Sequence, residues 1–177
     1  MNPRHLIALF LALLCLPPLV AQKQKRQPLN ERQIDQIREA GIFPNDRIKL
    51  YVQFVGAQVD AIEALGKRGK SSARTARLDD ALLDLVALID ELGSNLDQYG
   101  DRKADVRTAL KALNETVPHW RETLRAVPQE PGIDLSRKEA LESLNDLSEQ
   151  TIQLEKEQIA YFQSHKDEQG QDRAEPK

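Results

Sequence analysis

LDDALLDLVALIDELGSNLDQY, residues 78–99, decides the fold. Steps of four and three through it pick out Leu78, Leu82, Leu85, Ile89, Leu92, Leu96 and Tyr99. That is the heptad spacing of an amphipathic α-helix, and Ala81, Val86 and Leu88 widen the seam into a core-facing stripe. Asp79, Asp80, Asp84, Asp90, Glu91 and Asp97 take the other faces, so the helix has one dry side and one wet side. A second seam follows after a short turn: Val106, Leu110, Leu113, Val117, Trp120, Leu124 and Val127. Two amphipathic helices joined so tightly are expected to lie antiparallel, seam against seam.

Upstream of this pair, Asn30 and Gln33 have the form of a capping box, with Leu29 where a hydrophobic staple would sit. A short helix is expected from there, with Ile34 and Ile37 inward and Gly41 ending it. Asn45 or Asp46 is the expected N-cap of the next helix, which runs to about Leu65 with two apolar stripes. One stripe is Ile48, Val52, Val55, Val59 and Ile62, and the other is Leu50, Phe54, Ala57 and Ala61. Residues 66–72 form the first real loop, broken by Gly66 and Gly69.

Gly100 is expected to close the third helix and Asp101 to cap the fourth. Pro118 falls inside the fourth seam, so a kink near Glu115 is expected, with Trp120 beyond it as a core filler. Residues 128–134 form the second loop. Ser136 and Glu139 then have the spacing of a capping box, with Leu135 and Ala140 as its staple. Leu141, Leu144, Leu147, Thr151, Ile152, Leu154, Ile159 and Phe162 form the seam of the last helix, which ends near His165, a solvent-facing residue on this reading. The fold expected is therefore all-α: an antiparallel bundle of four long helices preceded by a short N-terminal one.

The ends of the chain differ in character. Arg4, the apolar run 6–16, Pro17, Pro18 and Ala21 read as a secretory signal peptide over residues 1–21. The run is too short for a membrane span. Leu14 stands where a lipobox preceding Cys15 would need a small residue. Residues 22–28 read as a flexible basic linker, 29–165 as the helical domain, and 166–177 as a disordered charged tail. Export to a periplasm or the exterior follows. Cys15 is the sole cysteine and leaves with the leader, so the mature chain has no disulfide and no thiolate chemistry.

A chain of 177 residues suits one domain, and a net charge of −3 argues against nucleic acid as the main partner. Catalytic signals are absent. No glycine-rich phosphate loop, serine elbow or haem-attachment motif occurs. Glu115, His119 and Glu122 share one helical face and are weak candidates for a single metal ion. The second internal histidine of a di-iron bundle is missing, so no metal and no cofactor is expected. Lys67, Arg68 and Lys70, extended by Arg74 and Arg77, form the candidate binding patch. Its charge opposes the dipole of the helix that follows, so helix stability does not explain it. It has no interleaved aromatics of the kind single-stranded nucleic acids stack on.

The segments 29–33, LNERQ, and 135–139, LSRKE, resemble the Leu-Thr-x-x-Gln helix start of small periplasmic stress chaperones. Those are all-helical exported proteins that bind unfolded clients without ATP. Neither segment has the threonine, only the first keeps the glutamine, and a staple with a capping box would produce both, so no family is assigned. The function expected is non-catalytic: an interaction or assembly module of the cell envelope, with a protein partner or a second copy of itself. The alternatives are an ATP-independent client binder and a binder of anionic lipid or polymer through residues 67–77.

Overall fold

The computed structural model describes residues 26–170, in which the regular secondary structure is all helical, with no strand among the described residues. The expected leader at 1–21, most of the expected linker and residues 171–177 of the expected tail lie outside the described residues. In chain order the helices are α1 (Glu31–Glu39), α2 (Pro44–Gly66), α3 (Ser72–Asp101), α4 (Arg107–Ala126) and α5 (Asp134–Ser164). A single 3-10 turn, Lys166–Glu168, follows.

Local capping explains α1. The Asn30 side chain accepts from the Gln33 N–H and the Gln33 side chain accepts from the Asn30 N–H, both at 3.0 Å, and Leu29 is buried beside them. Gly41 ends the helix in the left-handed region, at φ +56°. The other helices take their places by packing. The residues of the 78–99 seam are all buried, as are Trp120 and every other member of the second seam.

Helices α2 to α5 form two hairpins, and each hairpin is antiparallel. Along α2 and α3, Gln58 donates to the Ala81 carbonyl (2.8 Å) and Tyr51 Oη to Glu91 Oε1 (2.8 Å). Burial first, and then this bond, push the Tyr51 phenol well above its ordinary pKa. Along α4 and α5, Asn114 donates to Glu155 (2.7 Å) and Arg137 to the Arg125 carbonyl (2.9 Å).

The hairpins then lie side by side in the same sense, α2 against α4 and α3 against α5. Both of these contacts are parallel. Asn45 meets Ala109 while Gly56 faces Trp120, and Gly93 meets Gln150 while Gly100 faces Leu154. This corrects the expectation drawn from the two strongest seams. α3 and α4 do run antiparallel, but they face each other across the core and make no lateral contact. The connection between them crosses the end of the bundle diagonally.

Glycine decides how closely α3 and α5 approach. A Cβ at Gly93 would stand 3.0 Å from Gln150 Oε1, and one at Gly100 would stand 3.0 Å from Leu154 Cδ1. Gly100 is thus a packing residue inside α3 and not its terminator. The helix ends one residue later, at Asp101, in a Schellman turn in which Lys103 N–H bonds the Gly100 carbonyl and Ala104 N–H the Tyr99 carbonyl. Lys103 occupies the left-handed position at φ +56°, a cost of about 1–2 kcal/mol for a non-glycine residue. Its ammonium lies over the Tyr161 ring, 5.7 Å from the centroid.

Three other local expectations change. Phe43, not Asn45 or Asp46, is the N-cap of α2, with Pro44 as its first residue. Asn45 instead reaches across to α4, donating to the Asp105 carbonyl (2.8 Å) and accepting from Ala109 N–H (3.2 Å). It therefore does for α4 what Asp101, the last residue of α3, was expected to do. At α5, Ile133 is the N-cap and Ser136 is buried, its hydroxyl donating to the Ile133 carbonyl (3.1 Å). Leu135 is then no staple and stands 69% exposed. α4 itself continues through Pro118 to Ala126.

The described ends are also less free than their composition suggests. Arg26 pairs with Asp80 and Asp84 on α3. His165 stacks on Tyr161 with ring centroids 4.1 Å apart, so it is packed and not simply solvated. Residues 166–170 fold back on the diagonal connection, where Gly170 N–H bonds Asp105 Oδ2 at 2.9 Å.

Hydrogen bonds from the Arg107 side chain hold the Asp105 carboxyl below the ordinary carboxylate range against the opposing effect of burial, and Gly170 N–H adds to them. A carboxylate with a depressed folded pKa contributes stability above its unfolded pKa, near 3.9, and loses it as pH falls through the folded value. The stability gap between the natural chain and Asp105→Asn should therefore be widest at neutral pH and shrink below about pH 4. Urea midpoints at pH 7 and pH 2.5 measure it, and an unchanged gap would refute the linkage.

Candidate interaction surface

The basic loop lies at the end of the bundle where α2 finishes and α3 and α5 begin. Both of its sides are tied down. Lys67 N–H bonds the Glu63 carbonyl and Arg68 N–H the Leu65 carbonyl, both at 3.1 Å, while Ser71 Oγ caps α3 by accepting from Arg74 N–H at 3.2 Å. The cations of this segment are thus carried on a short, anchored loop.

Arg74 leaves the candidate patch. It is only 6% exposed, because its guanidinium turns inward to bond three groups at once. Nε donates to the Leu65 carbonyl and Nη2 to the Gly66 carbonyl, each at 3.0 Å, while Nη1 pairs with the buried Glu130 carboxylate. One side chain therefore holds the end of α2, the start of α3 and the loop between α4 and α5. The spacing of basic residues gave no sign of this, because Glu130 is 56 residues away.

The other four cations stay on the surface. Lys67 pairs with Glu63 at 2.8 Å, and Arg68, Lys70 and Arg77 are exposed. The first turn of α3 holds no acidic residue, so its N-terminal dipole adds to the positive charge. Near this end Lys138 approaches Glu142 at 3.6 Å, and Asp134 is exposed at the first position of α5, where that helix's dipole favours it.

Compared with known proteins, the chain matches no family model, no curated protein and no solved structure.

The metal candidates stay apart from other ligands. Glu115, His119 and Glu122 are all exposed on α4, and no group of three or more His, Cys, Asp or Glu side chains that could hold a metal ion occurs among the described residues. Open depressions occur among the described residues. One, of about 460 Å³, lies between residues 129–131 and the first turns of α5. Another, of about 390 Å³, follows the glycine-thinned contact of α3 and α5, with Asp90, Asp97 and Asp146 on its rims.

Among the described residues, large apolar side chains are exposed at three places. Ile42 (60%) and Phe43 (51%) are adjacent in the turn between α1 and α2, at the end of the bundle opposite the basic loop. Leu135 is at the basic end, and Ile152 and Ile159 lie on α5. Sequence periodicity assigned Ile152 and Ile159 to the seam of the last helix and did not single out Ile42 or Phe43. Among the described residues, no helix is long and apolar enough to cross a membrane.

Proposed function

We propose that this protein is an exported, non-catalytic helical bundle that acts as an interaction or assembly module of the cell envelope. On this reading residues 1–21 are a cleaved leader, and four long helices preceded by a short one form the mature domain. The observation that carries the reading is the Ile42–Phe43 pair. Two adjacent large apolar residues, each more than half exposed, sit in a turn pinned by Gly41 and Pro44. A rigid, projecting apolar anchor is what a partner's pocket can bury at small entropic cost.

The test is in-cell cross-linking of the exported chain followed by mass spectrometry, with Ile42→Ser/Phe43→Ser beside it. One stoichiometric partner, captured at least tenfold less by the double variant, is the expected result. A broad spread of unfolded envelope proteins would replace this reading with the ATP-independent client binder. Capture of copies of itself alone would replace it with a homo-oligomer, and equal capture by the double variant would remove the turn as the anchor.

A further inference from the structure

The geometry points to a second surface at the opposite end of the bundle, one that docks on an anionic lipid bilayer. It rests on its own observations and not on the protein-partner reading. Arg68 and Lys70 are exposed on a loop whose two sides are anchored by backbone bonds and the Ser71 cap, and Arg77 is exposed in the second turn of α3, nine residues after Arg68. Burial of Arg74 beneath the loop takes up Glu130. The carboxylate that could have neutralised the patch from below is thereby consumed inside the protein, and the outer cations keep their charge. The dipole of α3 reinforces them.

Charge alone would suit any polyanion, but Leu135 distinguishes among them. It stands 69% exposed at the same end, on the first turn of α5, whose neighbour α3 follows directly on the basic loop. An acidic polymer in water offers an exposed leucine nothing, whereas the boundary of a bilayer takes both a cation and an apolar side chain. The end of the bundle would then meet the headgroups with its helices pointing away from the membrane. The Ile42–Phe43 turn would lie at the far end, facing outward.

Each cation near an anionic surface strengthens partitioning about fivefold, so removing three should weaken it roughly a hundredfold. The measurement is co-sedimentation of the full chain with vesicles of phosphatidylcholine containing phosphatidylglycerol, at low salt. Binding is expected to fall about a hundredfold in Arg68→Gln/Lys70→Gln/Arg77→Gln and to be lost near 0.5 M salt, where screening is a few ångströms. Leu135→Ser is expected to weaken vesicle binding about tenfold while leaving any retention on soluble poly-glutamate unchanged.

These positions are all exposed, so the variants should keep the helical circular dichroism of the natural chain. Binding that survives the triple variant or high salt would overturn the proposal, as would equal binding to pure phosphatidylcholine. So would binding to poly-glutamate without binding to vesicles. The vesicles contain no protein, so failure here leaves the Ile42–Phe43 reading standing.

Discussion

Arg74→Met should cost about 3–5 kcal/mol of folding stability, the usual result of removing one partner from a buried ion pair. Methionine roughly fills the volume, so the loss is electrostatic. Glu130, only 6% exposed, would be left as a buried charge without its cation, and the Leu65 and Gly66 carbonyls would lose the guanidinium at the end of α2. Urea unfolding followed by circular dichroism measures the change as a lower midpoint with an unchanged slope.

Adding Glu130→Gln to this variant should recover part of the loss by removing the stranded charge. It should still leave about 1–3 kcal/mol for the unmet backbone acceptors. A single-variant loss under 1 kcal/mol would mean that water reaches Glu130 and that the pair does not hold the three elements together. The same substitution bears on the surface, because loss of Arg74 frees the base of the basic loop. Vesicle binding should weaken with it even though Arg74 is buried beneath the loop.

Gln158→Leu is the second large expected effect, at about 2–4 kcal/mol. Gln158 is 4% exposed on α5, beneath the diagonal connection between α3 and α4. Its Nε2 donates to the Ala104 carbonyl at 2.7 Å, and its Oε1 accepts from Val106 N–H at 3.1 Å. Ala104 and Val106 are themselves fully buried, so no water can replace the amide. Leucine is close in size and more apolar, so a favourable transfer term partly offsets the loss. One buried donor and one buried acceptor nevertheless remain unpaired. Amide exchange at Val106 should accelerate more than exchange at the centre of α3, since the connection can open before the whole molecule does. A stability equal to the natural chain's would show that the connection has another way to satisfy these groups.

The crossing itself explains why such a residue is needed. A short connection between adjacent antiparallel helices can run over the surface and be solvated. Here the chain passes from α3 to the diagonally opposite α4 over the end of the core, which buries its backbone and requires partners from inside the protein. Gln158 supplies two, and Asn45 supplies one for Asp105 and one for Ala109. Each partner is more than fifty residues away from the group it satisfies, so no reading of nearby residues could have found it.

Where a structural decision depends on residues within one turn, the sequence contained it. The Asn30–Gln33 box with Leu29, the left-handed Gly41 and the burial of both strong seams follow from spacing, because side chains three and four apart share a helical face. The Ser136–Glu139 box had the same spacing, and the structure does not form it. Ile133 goes into the core as N-cap, and Gly132, at φ +98° and against Thr75, sets the chain's entry one turn earlier. Packing of a whole side chain is worth about 1.5–3 kcal/mol and a cap about 1, so packing prevails where the two disagree.

The sequence alone thus determined that this is a helical protein, which faces of its two strongest seams are dry and where α1 begins and ends. The tertiary structure alone decided which helices are neighbours, since a period of 3.6 residues says that a face is covered and not what covers it. Gly93 and Gly100 admit α5 beside α3, the diagonal connection places α4 across the core, and Glu130 draws Arg74 out of the basic patch. The surface left for function is therefore what remains after those long-range contacts have taken their share of the charged and apolar side chains.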